Sequence, residues 1–552
     1  MKSELERKRV LRLLPYVLIA VLCVAGFFFR LGAVPLTGLD ESLYAESARE
    51  MLASGDYVVP RFNGEPFFDK PPLLYWLQAA SMRAFGVNSF AARLPSACAG
   101  IALVAVTMLL GTMLGNRRTG LAAGASLGCC ILCAALARMA IMDALFALTI
   151  TISLGAFLLA VTKAAPRWLY LVFWAGAGAA MMVKGPAGPV LIALVTLTYI
   201  VLRRRWKIFA ECMPWLGLPL FALVALPWYF AVNTTTGGTF FNEFFWHQNV
   251  ARAAGKDFYH NQPFFFYIPV FALGFFPWSV FLIPAWKTAV RLAPTVSNPA
   301  VQSTGRRAND GVHEEAALFL AVWISVVLVV FSVIVSKLPG YIFPLFPAAA
   351  VLSASAWADE GRVGSRTLAK CAWVALAVSV VFAAALLFAE MKLPQPIPGL
   401  RPILAVMGAV LVLGTAASIP LVIRGSRSAG LAALAGGVGA FLLVTVTVAL
   451  PVASRTIADD SARIGKAIHR LARPGDTAVT YKIARRIPSV PFYAQRIVKN
   501  LHTAADLRRL LDSGRPVLVV TPTDNQESAI SSGQLVHKFG EFKVVRLRET
   551  SP

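Results

Sequence analysis

The densest chemistry in the chain lies just after its first long apolar stretch. Asp40 and Glu41 open a segment in which Leu43, Tyr44, Ala48, Met51 and Leu52 recur at helical spacing up to Gly55. Such a pattern describes an amphipathic helix lying on a membrane surface. The competing reading makes Asp40 an N-cap and Glu41 a first-turn charge favoured by the helix dipole. Arg61, Glu65, Asp69 and Lys70 follow in the same loop, stiffened by Pro60, Pro66, Pro71 and Pro72. Phe67, Phe68, Tyr75 and Trp76 add aromatic faces, which suit both a membrane interface and stacking on sugar rings. Carboxylates, cations and aromatics gathered in one loop suit a lipid whose head group joins a phosphate to a sugar.

A second set of polar residues is scattered at the ends of apolar stretches. Asp143 falls less than two turns into one of them, and an ionisable residue at that depth is a functional candidate by default. Its bland alternatives are pairing with Arg138 or capping a helix start. Lys184 stands in a tight Lys-Gly-Pro turn, and Lys337 and Tyr341 in the segment Ser336 to Tyr341. For metals the residue types are thin. Glu243 and His247 lie at i,i+4, which places two ligands on one helical face, and Asp69 and His260 are further O and N donors. A divalent ion at Asp69 and His260 is one expectation; a satisfied structural histidine is the other.

These residues need a frame. The chain has 552 residues, 57% hydrophobic and only 14% charged, with a mean hydropathy of +0.66. Too few polar residues remain to cover a water-facing surface, which excludes a soluble enzyme and a disordered chain. Thirteen apolar stretches fall near 13–34, 90–114, 119–137, 139–161, 168–183, 186–202, 213–232, 264–286, 316–335, 341–357, 371–389, 402–423 and 429–453. Each is of helix-spanning length, and a membrane β-barrel would instead alternate with period two. The net charge of +24 is read as cytoplasmic loops obeying the positive-inside rule, with no nucleic-acid partner. With the N-terminus inside, Arg117-Arg118, Lys163 with Arg167, Arg203 to Lys207, Lys287 to Arg307, Arg362 to Lys370, and Arg424 with Arg427 all fall inside. Loops 35–89 and 233–263 then lie outside, as does the C-terminus. Beyond 453 the composition changes. A helix at Asp459 to Arg473, strands at 477–481, 516–520 and 542–546 and a helix at 504–512 describe a small α/β domain over 454–552. The seven cysteines lie in or beside apolar spans, without zinc-type spacing, and read as small buried residues.

Particular motifs narrow this further. Asp40-Glu41 after the first span, Tyr44-Ala45-Glu46, Arg49-Glu50-Met51, Gly55-Asp56, Val59-Pro60 and Lys70-Pro71-Pro72-Leu73 with Tyr75-Trp76 resemble the bacterial branch of the protein mannosyltransferase superfamily. Arg252, His260 before Pro263-Phe264, Pro277-Trp278, and Ser336-Lys337-Leu338-Pro339 with Tyr341 and Pro344 extend the match. The resemblance covers about residues 1–350 by motif and the rest by architecture. Within that group the chain is most similar to the lipid A aminoarabinose transferases.

The resemblance implies a C-type membrane glycosyltransferase with about thirteen transmembrane helices over 1–453. It also implies an active site on the periplasmic face of the bacterial inner membrane. Its donor would be undecaprenyl-phosphate-linked 4-amino-4-deoxy-L-arabinose and its acceptor a lipid A phosphate. The outcome would be resistance to polymyxin and other cationic peptides. The leaving polyprenyl phosphate gains negative charge as the glycosidic bond breaks, which preorganised cations stabilise. Lys70, Arg252 and Lys337 are the first candidates for that role, with Arg61, Lys184, Arg138 and Tyr341 beside them. The superfamily's acidic residue falls on Asp40, with Glu41 next to it and Asp143 as the second acidic group near the reacting carbon. Direct displacement with inversion is expected, without a nucleotide or organic cofactor. Monomer and oligomer are both compatible with the sequence. A sibling enzyme moving mannose or another sugar to a protein or glycan shares the first loop and is the alternative. A lipid transporter would show two related halves with matched broken helices, and no such symmetry is visible.

Overall fold

The computed structural model describes residues 2–36, 38–162, 166–251, 261–296, 308–358, 361, 363–393, 397–456, 460–483 and 487–547. Contacts divide the chain into two compact units. One comprises Met1–Leu31, Asp69–Leu74 and Arg93–Thr456, the other Gly32–Phe68, Tyr75–Ala92 and Ile457–Pro552. This differs from the 1–453 and 454–552 division read from composition: most of the first outer loop folds with the C-terminal segment. Composition marks where apolar spans stop, but holds no record of which polar segments pack together.

In the first unit every one of the expected apolar stretches lies on a helix or a bent helix pair. Eight are single helices long and apolar enough to cross a bilayer. Two are pairs, Arg117–Gly128 with Ile131–Ala137 bent by 64° and Phe264–Gly274 with Trp278–Arg291 bent by 110°. The second bend contains Pro277, which has no N–H to continue a helix. Leu13–Phe28, Leu169–Lys184 and Ala187–Arg203 are shorter apolar helices. Among the described residues, length and composition therefore support eight to ten crossings, fewer than the thirteen expected. Helix Asp143–Val161 is the most enclosed of the spans, so a charge at its first residue sits against protein. The cysteines are all free thiols; five are buried as expected, but Cys98 is exposed and Cys371 half-buried, both on span helices.

The second unit contains the helix that follows the first span, Gly38–Ser54. It is not the half-wet surface helix of the sequence reading. Glu41 to Met51 is buried throughout except at Leu43. Burial of the polar face is tolerated because Glu46 and Arg49 satisfy each other: Arg49 Nε and Nη2 donate to Glu46 Oε2 and Oε1, each at 2.7 Å. Two short strands follow, β1 (Arg61–Phe62) and β2 (Glu65–Pro66), paired antiparallel. Their turn is Asn63-Gly64, both at positive φ (+54° and +87°), as a two-residue hairpin of type I′ requires. The Glu50 carboxylate accepts the Gly64 N–H at 3.1 and 3.2 Å, which ties hairpin to helix.

The same unit holds a five-stranded sheet of β3 (Thr477–Tyr481), β4 (Val498–Leu501), β5 (Val517–Pro522), β6 (Gln534–Phe539) and β7 (Phe542–Leu547). Their order is β4-β3-β5-β7-β6. Strands β4, β3 and β5 run parallel, and β7 is antiparallel to both β5 and β6. Helix Asp460–Leu471 packs Ile464 and Ile468 on Ala478, Leu518 and Val520. On the other face Leu507 of helix Ala504–Leu511 meets Val479 and Val519. A strand buried on both faces reads as an unbroken apolar run, which is why Val517-Leu518-Val519-Val520 shows no alternation. The expected small α/β fold is present.

Candidate active site

Several sequence candidates in the membrane unit meet at one place. Asp143 opens helix Asp143–Val161, and Lys184 closes helix Leu169–Lys184. Each charge therefore has the sign its helix end favours. Lys184 Nζ donates to Asp143 Oδ1 at 2.8 Å, with 14% and 13% of the two side chains exposed. The ammonium also lies 4.9 Å from the centroid of the Tyr341 ring and 5.2 Å from that of Phe146, within cation–π range. Tyr341 belongs to the 3₁₀ turn Pro339–Leu345, whose Gly340 is buried against Asp143. A Cβ at Gly340 would stand 2.8 Å from Asp143 Cγ and Oδ1, so only glycine allows this approach.

The same turn carries its own supports. Tyr267 Oη donates to the Leu338 carbonyl at 3.2 Å. Lys337 is 4% exposed, and its Nζ donates to the Gln262 carbonyl at 3.1 Å. An isolated bridge pairs Asn261 with Ser336. Lys337 and Tyr341 share one segment, and Asp143 and Lys184 stand at the ends of two helices, so three segments of the membrane unit carry these four residues. Lys70 and Asp69 belong to that unit too, joined by a 2.9 Å ion pair and a 3.0 Å bond from Lys70 Nζ to the Asp69 carbonyl.

Arg138 does different work. Its Nη1 donates to the Gly26 and Phe27 carbonyls at 3.0 and 3.2 Å, capping the end of helix Lys2–Phe28. The sequence alternative that paired Asp143 with Arg138 is therefore replaced by Lys184.

In the second unit Asp40 is exposed in the first turn of Gly38–Ser54, two residues inside the helix and so not its N-cap; Glu41 beside it is 1% exposed. Arg61 lies in β1 and donates from Nη1 to the Gly64 carbonyl at 3.4 Å. Burial pushes the Glu46 carboxyl up, to about 8, against the opposing pull of its bonds and charge contact with Arg49. Glu46, Arg49, Glu50 and Asn63 were not singled out chemically from sequence. Glu46, Arg49 and Glu50 stood in the sequence as motif residues only, and the local signal for Asn63 is the Asn-Gly dipeptide between short hydrophobic runs.

Arg252 and His260 lie outside the described residues, as does the His247 side chain; Glu243 is exposed. Among the described residues no group of three or more His, Cys, Asp or Glu is placed to hold a metal ion. Asp69, the other expected ligand, is already neutralised by Lys70. A carboxylate with an ammonium at that distance is a poor anchor for a divalent ion.

Helices of this number and bend, with a charged cluster at span ends, define a polytopic membrane protein of the C-type glycosyltransferase fold. Comparison agrees. A family model described as dolichyl-phosphate-mannose-protein mannosyltransferase matches residues 69–230. A Pseudomonas aeruginosa protein named undecaprenyl phosphate-alpha-4-amino-4-deoxy-L-arabinose arabinosyl transferase is 32% identical over 395 residues. That alignment covers 68% of this chain and 66% of the relative's own length. Crystal structures of ArnT from Cupriavidus metallidurans, in the apo state and bound to undecaprenyl phosphate, have a TM-score of 0.78 at 25% and 24% identity. Each covers 96% of this chain and 97% of its own. The chain belongs to the family of undecaprenyl phosphate-aminoarabinose arabinosyl transferases.

Proposed function

We propose that this protein transfers 4-amino-4-deoxy-L-arabinose from undecaprenyl phosphate to a phosphate of lipid A, on the periplasmic side of the bacterial inner membrane. The observation that carries the reading is the cluster of Asp143, Lys184 and Tyr341 at span ends, with Lys337 four residues before Tyr341 in the same segment, in a chain that aligns with transferases of that name. The donor supplies an anomeric carbon bonded to a carrier phosphate oxygen. An acceptor phosphate oxygen attacks that carbon, the bond to the carrier breaks, and its electron pair leaves on the carrier phosphate. The configuration inverts because the displacement is direct.

A phosphate monoester loses its second proton near pH ~6, so the acceptor is already an anion at neutral pH. General-base help is then minor, and Asp40 instead pairs with the sugar's ammonium and orients the donor. Lysines at fixed positions offer point charges to the departing phosphate, and arginines add bidentate contact. Lys70, Lys184, Lys337 and Arg252 are the groups proposed for these roles. The acceptor gains an amine that cancels phosphate charge, which weakens the binding of cationic peptides.

Mass spectrometry of lipid A from cells making the donor tests this directly. The expected result is a pentosamine on a lipid A phosphate when the active protein is present, lost in the Asp40→Asn variant. Unmodified lipid A, with donor and folded protein both verified, overturns the acceptor and points to a protein or glycan hydroxyl. Full modification by Asp40→Asn removes Asp40 from the site.

A further inference from the structure

Among the described residues the C-terminal α/β segment gathers no group of three His, Cys, Asp or Glu, yet it holds the outer loop at three points. The Leu36 N–H, four residues before Asp40, donates to Tyr493 Oη at 2.7 Å. That same hydroxyl bonds Ser89 Oγ at 2.8 Å. One phenol therefore grips the loop at its beginning and at its end. The third point lies midway, where Asn63 Nδ2 donates to the Val498 carbonyl and Asn63 Oδ1 accepts the Val498 N–H, both at 2.8 Å. This reciprocal pair attaches the hairpin tip to the edge of β4.

The anchor itself is rigid. Tyr493 sits in the short helix Val490–Ala494, whose Val490 and Ala494 are buried in the sheet's core cluster. Lys466 Nζ lies 5.5 Å from the centroid of its ring. All of these contacts are internal to the second compact unit. The hydroxyl's bonds to the Leu36 N–H and to Ser89 Oγ both go to the loop.

We infer that Tyr493 is a positioning residue for Asp40, and that the C-terminal segment is a built-in part of the reaction site's scaffold. The inference rests on the reading that Asp40 orients the donor. Fixing both loop ends and the hairpin tip leaves the first turn of Gly38–Ser54 little freedom to drift. Misplacement of a reacting group by about 1 Å costs about 100-fold in rate.

The test uses the full-length enzyme in lipid nanodiscs with Tyr493→Phe, Asn63→Ala and Asp40→Asn. Turnover, donor KM, hydrogen exchange and melting temperature are measured for each. Expected for Tyr493→Phe is a fall in kcat of ~10-fold or more, donor KM within about twofold, and faster exchange at Leu36 and the start of the helix. Exchange in β3, β5 and β7 stays unchanged. Asn63→Ala, which releases the loop at a different point, lowers kcat in the same sense. An unchanged kcat in both variants, with the Leu36 amide deprotected, overturns the inference. So does a kcat loss accompanied by deprotection of the whole sheet, which marks a folding role only. If Asp40→Asn abolishes turnover while Tyr493→Phe does not slow it, the positioning inference fails alone. If Asp40→Asn turns over normally, the Asp40 reading fails and takes this inference with it.

Discussion

At the scale of single residues, the contact between Asp143 and Lys184 makes the clearest demand. Lys184→Met would leave a mostly buried carboxylate without its ion-pair partner, and removing one partner of a buried pair costs more than removing both. The melting temperature should fall further for Lys184→Met than for the double variant Asp143→Asn with Lys184→Met. The gap corresponds to roughly 1–3 kcal/mol, since the pair is not fully enclosed. Equal melting temperatures would mean that the pair adds nothing to the fold. Gly340→Ala probes the same place sterically, because its new Cβ would press on the Asp143 carboxylate. Turnover should drop ~10-fold or more, with much of the loss absent in an Asp143→Ala background, where the space is free. Asp143, Lys184 and Tyr341 were all legible as candidates in the sequence, by charge at a span end or by motif. Their meeting was not, because Lys184 is 41 residues from Asp143 in the chain and Arg138 only five. Arg138 is instead taken up by carbonyls that the first helix leaves unbonded at its end.

At the scale of elements, the buried helix Gly38–Ser54 and its hairpin form the part most sensitive to pH and backbone strain. In Arg49→Met the Glu46 carboxyl keeps its burial and loses the pull that lowers its pKa. The wild-type folded state already holds, up to about pH 8, a proton that the unfolded chain releases above 4.5, and the variant holds it to higher pH still. Where the folded state binds more protons, stability falls as pH rises. The melting temperature gap between wild type and Arg49→Met should therefore be constant from pH 5 to pH 7 and widen above pH 8, where only the wild type releases the proton and pairs the carboxylate with Arg49. A gap independent of pH would place the loss in packing alone. Gly64→Ala should cost roughly 1 kcal/mol, because Gly64 sits at φ +87° and an added Cβ would lie 3.0 Å from Ile497 Cδ1. Thermal unfolding of the purified protein reads it. The elements differed in how plainly they showed. Strands β3, β5 and β7 carry apolar runs and were visible in the sequence. Strands β4 and β6 stand at the two sheet edges with mostly wet side chains, so Val498–Leu501 and Gln534–Phe539 lack the contrast that marks a strand. The first loop's helix was visible too, but its burial was not. Periodicity reports one apolar face and says nothing of a polar face closed by an internal ion pair.

At the scale of the whole molecule, the open quantity is the number of membrane crossings, and its parity has consequences. Eight or ten crossings leave both chain ends on one face of the membrane; thirteen put them on opposite faces. Leu13–Phe28 sets the parity, while Leu169–Lys184 and Ala187–Arg203, both crossing or neither, change the number by two. Leu169–Lys184 has 16 residues and Ala187–Arg203 has 17, against the ~20 that a straight span needs. At 1.5 Å per residue they reach about 24–26 Å, a few ångströms short of the hydrocarbon core. Mismatch of that size costs only fractions of a kcal/mol per ångström and is met by local thinning or by flanking residues that reach the interface. The distribution of Lys and Arg makes the same case. If all the apolar segments cross, Arg117-Arg118, Arg203 to Lys207, and Arg424 with Arg427 share the cytoplasmic face. Whether Leu169–Lys184 and Ala187–Arg203 both cross or both fail to cross, those three loops stay on one face; if Leu13–Phe28 does not cross, the basic residues that precede it fall on the opposite face from them. A phosphatase that is active only in the periplasm, fused after Pro552, should therefore be active, while a reporter that fluoresces only in the cytoplasm should stay dark there. The reverse result would mean an even count, place the α/β sheet in the cytoplasm, and separate Tyr493 and Asp40 from a periplasmic reaction altogether.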